Sequence, residues 1–363
     1  MIVIADDITG AAEMAGIAFS QGQQVRLVCG GSVCCDNIAA QTTVIATDTR
    51  SMSEAEAVAE TLRNTSAFIH HTSAIFKKTD SALRGHVVAE LSALMEATGY
   101  QRAVYLPANP SKGRIIKNGT YYINDVPIHK TDFSFDPEFP AKTSVLRERF
   151  PDAEMKGIIM PDAENEEDIQ KVIAKFNDGK TLFAGAADLF TALLNANHRD
   201  KPFDSSLCLE NHEVSSHNTL ILCGSTQSKP LDIGIPVAPM PREVYDGNED
   251  LSLWDTNAYK ERHSLILTMP YTHRTGKEAA VHLRNVMARK AKELVAQHCP
   301  SHLIIEGGAT AWATLQALGW TQFEITAQIA PGVVQMSATN GTLVTLKPGS
   351  YPWGNLFSSS ANT

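Results

Sequence analysis

Short apolar runs alternate with amphipathic stretches from the first residues of the chain. Ile2, Val3, Ile4 and Ala5 form a four-residue apolar run, the pattern of a strand buried on both faces. Residues 11–18 follow it with apolar positions at helical spacing. The same reading predicts strands at 24–29, 43–46, 74–77, 102–106, 157–160 and 181–184. Helices are expected at 53–62, 83–97, 164–176 and 187–196, the first opened by a capping box of Ser53 and Glu56. Such alternation signals parallel βαβ packing.

Residues 111–140 break the rhythm. They are turn-rich, and 121–130 suggests a hairpin lying over the sheet, in a segment long enough to serve as a lid or binding loop. Residues 197–217 are polar and without period, which places the domain boundary there and gives domains 1–215 and 216–363. The second half starts again with strands at 219–223, 263–267 and 303–305, a long helix at 276–298, a helix running to Leu318, and closing strands at 323–330 and 342–346. Pro230, Pro236, Pro239 and Pro241 argue against long helices in 229–257. The fold class expected is α/β, as two α/β domains with mainly parallel sheets.

At 363 residues the chain exceeds the size at which one core tends to split. A net charge of -9 gives no electrostatic footprint for nucleic acid or anionic lipid, so no nucleic-acid and no membrane partner is expected. Cys29, Cys34, Cys35, Cys208, Cys223 and Cys299 include no C-x-x-C pair, the usage of free thiols in the cytoplasm. No charged leader precedes the first strand, and no apolar run approaches the ~18 residues of a membrane helix. A cytoplasmic location is the expectation.

Asp6 and Asp7 fall at a strand's carboxyl end, where open α/β sheets place their ligands. A helix cap accounts for one of them and, given like-charge repulsion, less readily for both. The stretch Lys77-Lys78-Thr79-Asp80-Ser81 with Arg84 and Gly85 is a second dense junction. There Asp80 or Ser81 could cap a helix whose first turn holds Arg84, a cation set against the dipole that a bound anion would explain. The alternative is solvated surface charge. Arg50 and Asn109 end neighbouring strands. Guanidinium forks a carboxylate and aspartate accepts from hydroxyls, so this set suits a polyhydroxylated carboxylic acid. In the second half, Gly307, Gly308, Ala309 and Thr310 open a helix, a ready anion site. The Gly224-Ser225 and Lys347-Pro348-Gly349 loops end other strands and could surround the same nucleotide. No P-loop is present: Thr275-Gly276-Lys277 has Tyr271 where the upstream glycine belongs.

These pieces, in this order, resemble the four-carbon acid sugar kinase family. The resemblance rests on Ala5-Asp6-Asp7-Ile8-Thr9-Gly10-Ala11, Thr47-Asp48-Thr49-Arg50, the Lys77-to-Gly85 stretch, Pro107-Ala108-Asn109-Pro110, Gly224-Ser225, Gly307-Gly308-Ala309-Thr310, Pro331-Gly332-Val333 and Leu346-Lys347-Pro348-Gly349. It implies a first domain that holds the sugar acid, a second that binds ATP, and an inter-domain active-site cleft. Ser225, Gly307, Gly308, Ala309, Thr310 and Gly349 then correspond to ATP contacts. The expected reaction is phosphorylation of a hydroxyl of a threonate, erythronate or oxo-tetronate, with Mg²⁺ bridging the β- and γ-phosphates and no metal ligands from the protein. Arg50, Lys78 and Arg84 would grip the carboxylate and the transferring group, Asp7 or Asp80 would take the hydroxyl proton, and Asp6, Ser81 and Asn109 would line the pocket. The sequence departs from the family at Ala309, at Val334-Gln335 and at Pro348-Gly349-Ser350. These departures keep open a sugar-acid-binding protein that lost ATP binding, and the Asp-Asp-x-Thr turn keeps open a haloacid-dehalogenase-like phosphatase with Asp6 as nucleophile. A homo-oligomer is compatible with the sequence.

Overall fold

The computed structural model describes residues 1–30, 40–66, 74–136, 138–197, 218–225, 231–274, 276–349, 351–353 and 356–357. The chain forms two compact units, Met1–Val25 with Gly30–Phe203, and Arg26–Cys29 with Asp204–Thr363.

The first unit contains β1 (Ile2–Ala5), α1 (Ile8–Ser20), then, beyond a strand β2 (Val25–Cys29) that joins the other unit, β3 (Thr42–Ala46), α2 (Glu54–Thr65), β4 (Ile75–Lys78), α3 (Val87–Thr98) and β5 (Arg102–Leu106). Three short strands, β6 (Arg114–Lys117), β7 (Thr120–Ile123) and β8 (Val126–Pro127), form a separate antiparallel sheet. After them come α4 (Leu146–Arg149), β9 (Ile158–Ile159), α5 (Glu166–Phe176), β10 (Thr181–Gly185) and α6 (Ala187–Asn197). The main sheet runs β3-β1-β4-β10-β5-β9, all parallel. Every residue of β1 is buried, as the unbroken apolar run requires of a strand covered on both faces.

The second unit holds β11 (Thr219–Cys223), β12 (Val237–Pro239), α7 (Arg242–Tyr245), α8 (Ala258–Arg262), β13 (Ser264–Thr268), α9 (Lys277–His298), β14 (His302–Glu306), α10 (Gly308–Leu318), β15 (Gln322–Ala330), β16 (Val333–Ala338) and β17 (Leu343–Lys347). Its sheet order is β12-β13-β11-β14-β17-β16-β15-β2. The first five strands are parallel, and β17, β16, β15 and β2 pair antiparallel. Both units are therefore α/β with mainly parallel sheets. No helix among the described residues is long and apolar enough to cross a membrane.

Three expectations change. The strand at 24–29 has an antiparallel partner that the sequence does not announce: Arg26, Leu27 and Val28 pair with β15, and Arg26 Nε donates to Glu324 Oε1 at 2.7 Å. An apolar run carries no label for the strand it pairs with. The helix expected from residue 83 begins only at Val87, because Leu83 (φ 63°) and Gly85 (φ 90°) are left-handed and cannot propagate a right-handed helix. Finally, β16 was not anticipated. It follows a turn at Gly332 (φ 76°) and pairs back on β15.

Candidate functional site

The carboxyl ends of β1, β3 and β4 bring one cluster of charge together in the first unit. Asp7 is the N-cap of α1, its Oδ1 accepting from the Gly10 amide at 2.9 Å and its Oδ2 from the Thr9 hydroxyl. Arg50, just past β3, forks Asp6, with Nε to Oδ2 at 3.0 Å and Nη2 to Oδ1 at 2.9 Å. The same guanidinium reaches Asp7 at 3.0 Å and Asp80 at 3.7 Å. Asp80 Oδ2 accepts from the Ala82 and Arg84 amides at 3.0 and 3.3 Å, and both its oxygens accept from the Arg84 guanidinium. Asp80 thus ties its own loop instead of capping α3, whose N-cap is His86 with no side-chain cap bond.

Burial and pairing pull these acids apart. Burial raises the Asp6 carboxyl above the usual aspartate range despite Arg50. Burial acts upward on Asp7 as well, but Arg50 and Lys78 outweigh it and hold Asp7 below that range. Asp80, under the combined pull of Arg50 and Arg84, is held far below it. Asp7 and Asp80 are therefore ionised at neutral pH. The Asp7 side chain is the most accessible of the three at 18% exposed, against 9% for Asp80 and 3% for Asp6.

The cations are not solvated surface charges. Lys77 is fully buried and pairs with Glu90 at 3.1 Å, while Glu90 also accepts from Thr49 and Thr61. Lys77 is thus structural. Lys78, 4% exposed, donates to the Thr79 carbonyl at 2.9 Å and stands 3.9 Å from Glu13. Arg84 lies 3.5 Å from Asp136 and over the Phe133 ring. Ser81 accepts from Arg114, whose guanidinium also lies over Phe133, and the Ser81 carbonyl accepts from the Tyr121 hydroxyl at 2.5 Å. The β6–β7 segment thereby reaches the charged loop. Asn109 is buried at 2% exposure, and its side-chain oxygen accepts from the Asp188 amide at the start of α6, an anchoring bond for that helix. Glu13, Arg114, Tyr121 and Asp136 escaped sequence reasoning. For Glu13 a signal existed, since it sits one helical turn beyond Thr9, on the face of α1 that Lys78 and Lys112 approach.

In the second unit, Cys223, Glu306 and Lys347 end β11, β14 and β17 in one row of the sheet. Lys347 Nζ pairs with Glu306 Oε1, donates to the Pro348 and Gly349 carbonyls, and stands 4.7 Å from the Trp353 ring centre. Burial, then Glu306, pushes the Cys223 thiol up to about 12, which keeps it protonated. Gly307 (φ 97°) is the N-cap of α10 and supplies no side-chain cap, leaving the first amides of the helix for a ligand. A Cβ on Gly224 would overlap the Thr310 side chain, and one on Gly349 would overlap Ser225. The three loops pack as glycine-backed turns in which the backbone is bare, the surface a polyphosphate needs for close approach. Gly308, Ala309 and Thr310 form the first turn of α10. The predicted residues of each half are thus assembled within their own unit.

Comparison with known proteins finds one match in each half of the chain. A family model described as a sugar-binding N-terminal domain matches residues 1–154, and one described as a nucleotide-binding C-terminal domain matches residues 255–351. A D-threonate kinase of Salmonella typhimurium is 32% identical over 150 residues, 41% of this chain and 35% of that protein, so the match spans about a third of the relative. A 3-oxo-tetronate kinase of Brucella melitensis is 26% identical over 408 aligned positions, covering 96% of this chain and 92% of the relative. A solved Haemophilus influenzae protein shares the fold, with a TM-score of 0.74 at 20% identity over 99% of both chains. With the acid and guanidinium cluster in the first unit and the glycine loops in the second, the chain matches a sugar-binding N-terminal domain and a nucleotide-binding C-terminal domain, and over nearly its whole length it is similar to a kinase of a four-carbon sugar acid.

Proposed function

We propose that the protein is an ATP-dependent kinase that phosphorylates a hydroxyl of a four-carbon sugar acid of the threonate, erythronate or oxo-tetronate class. The observation that carries this reading is the pairing of two buried aspartates, Asp6 and Asp80, and the partly exposed Asp7 with Arg50 and Arg84 at the strand ends of the unit matched as sugar-binding. Buried guanidinium and ammonium groups favour a carboxylate ligand, and ionised aspartates accept from its hydroxyls.

In this reading Asp7 takes the hydroxyl proton. It is ionised, the most accessible of the three acids, and fixed by the α1 cap. Its lowered pKa makes it a weak base, so proton uptake accompanies the formation of the phosphoryl bond and does not precede it. Asp80, fully occupied by Arg84 and two backbone amides, positions Arg84 and Arg50. Lys78 and Arg84 hold substrate oxygens, Asp6 fixes Arg50, and Ser81 and Asn109 set the loop and the neighbouring helix. Ser225, Gly349 and the amides of Gly307, Gly308, Ala309 and Thr310 fit ATP phosphates. Bound ATP would supply the phosphoryl group, and an accompanying Mg²⁺ would neutralise the charge that develops on transfer. A cytoplasmic location belongs to the same reading, supported by the unbridged thiols of Cys223 and Cys299. The phosphatase alternative is disfavoured, because both oxygens of its required nucleophile, Asp6, are engaged by Arg50.

The test is an ADP-release screen against D- and L-threonate, D- and L-erythronate and their oxo derivatives, run beside ATP calorimetry. Turnover with one of these acids is expected. ATP binding without turnover on any would overturn the substrate class, and absence of ATP binding would leave the sugar-acid-binding alternative.

A further inference from the structure

The geometry points to a second small-molecule site in the second unit, at the amino-terminal edge of its sheet, for a small anion bearing phosphate or carboxylate groups. A cavity of about 220 Å³ is lined by Asn218, Tyr259, His263 and His298. This is below the ~300–1,000 Å³ of ordinary ligand pockets, which limits the occupant to inorganic phosphate or a molecule of a few carbons.

The walls are built by two abrupt helix-to-strand turns. Helix α8 ends in a left-handed residue at His263 (φ 54°), which leads directly into β13, and α9 ends at His298 before the left-handed Cys299 (φ 46°). Asn218 (φ 59°) enters β11 and holds the second turn by donating from Nδ2 to the Cys299 carbonyl at 2.9 Å. Both imidazoles are thereby brought to the same opening as Tyr259, whose ring centre lies 4.5 Å from that of His298.

Two observations identify the ligand chemistry. First, Tyr259 is 1% exposed, and its hydroxyl has no hydrogen-bond partner among the described residues. A buried hydroxyl left unpaired is costly, and burial keeps this one protonated, so it is a donor awaiting an acceptor. Second, the charges that act on His298 are those of Lys260 and His263, which with burial depress its pKa. Among the described residues that line the cavity none is a carboxylate. An anion would accept from the phenol, be attracted by the Lys260 charge and pair with either imidazole once it is protonated, a combination that no cationic ligand achieves. The site is distinct from the glycine loops: Asn218 and Ser225 flank opposite ends of β11, whose five residues span roughly 16 Å.

The experiment uses the full chain labelled in its histidine rings and titrated with inorganic phosphate, and in a second arm with citrate. The His263 and His298 resonances are the readout, so an anion captured by the glycine loops does not register. Saturable shifts in both rings are expected. Response to phosphate alone identifies a phosphorylated ligand and response to citrate alone a carboxylate. Tyr259→Phe, which keeps the ring, should weaken binding roughly fivefold or more, and His298→Gln should weaken it further with unchanged thermal midpoint. Rings unmoved by either anion, or undiminished binding by Tyr259→Phe, would overturn the site.

Discussion

Arg50 grips Asp6 through two parallel hydrogen bonds of 3.0 and 2.9 Å while also touching Asp7 and Asp80. One guanidinium therefore neutralises carboxylates from two different strand ends. Arg50→Met leaves Asp6, 3% exposed, without its partner. Breaking a buried pair from one side costs about 3–5 kcal/mol, so the urea midpoint should fall sharply. Arg50→Lys should recover much of that stability but not sugar-acid affinity, since an ammonium cannot fork two oxygens. An unchanged urea midpoint in Arg50→Met would show that the fork does not hold the site together.

Asp7 and Asp80 separate under the same substitution. Asn caps a helix about as well as Asp, so Asp7→Asn should change stability by less than ~1 kcal/mol while turnover falls by roughly 10²–10⁴. Asp80→Asn weakens the charge-assisted bonds to Arg84 and should lower stability by about 1.5–3 kcal/mol, with a rise in KM for the acid. Wild-type turnover in Asp7→Asn would move the base elsewhere.

His302 makes the fold acid-sensitive. It is 4% exposed, its Nε2 lies 2.8 Å from the Thr345 hydroxyl, and burial lowers its pKa to about 4. The unfolded chain takes up a proton near pH 6.5 that the folded chain refuses until about 4. The contribution is thus complete above pH ~6.5 and lost as pH falls through that window, amounting to roughly 3 kcal/mol. Denaturant midpoints measured across the window should fall less steeply for His302→Gln than for wild type. Asp80, with its pKa held low, adds a second loss at still lower pH, beginning below the unfolded value near 3.9.

Gly224 is fixed by Thr310. A methyl group at position 224 would overlap the Thr310 side chain, so Gly224→Ala must displace the first turn of α10 or its own loop. A stability loss of about 1–3 kcal/mol is expected, with a larger proportional loss of ATP affinity by calorimetry. Adding Thr310→Ala should restore stability. If the double variant is no more stable than Gly224→Ala, the overlap is not the cause.

Much of this site was readable as punctuation: acids, cations and glycines stand where apolar runs stop and helices begin, and the sheets bring those points together. What was not readable is pairing. Arg50 finds Asp6 across 44 residues, and Lys112 finds Glu13 across 99, distances over which residue type alone carries no partner information. The start of α3 was misplaced because Leu83, an apolar residue with good helical spacing, adopts a left-handed conformation that its Asp80-tied loop imposes. Asp7 caps α1 and is also the proposed base, so the two readings of that acid are not exclusive.

Strand β2 has a consequence for how the chain can be cut and how it is made. Its residues 26–29 complete the sheet of a unit whose other residues begin at 204, and the Arg26–Glu324 bond closes a loop of 298 residues. A fragment beginning near residue 204 would expose the β15 edge that Arg26, Leu27 and Val28 cover, an invitation to intermolecular strand pairing. During synthesis that strand emerges among the first and must wait for almost the whole chain, so its docking is a late and slow event. Dissecting the two units therefore calls for a copy of residues 26–29 grafted onto the second.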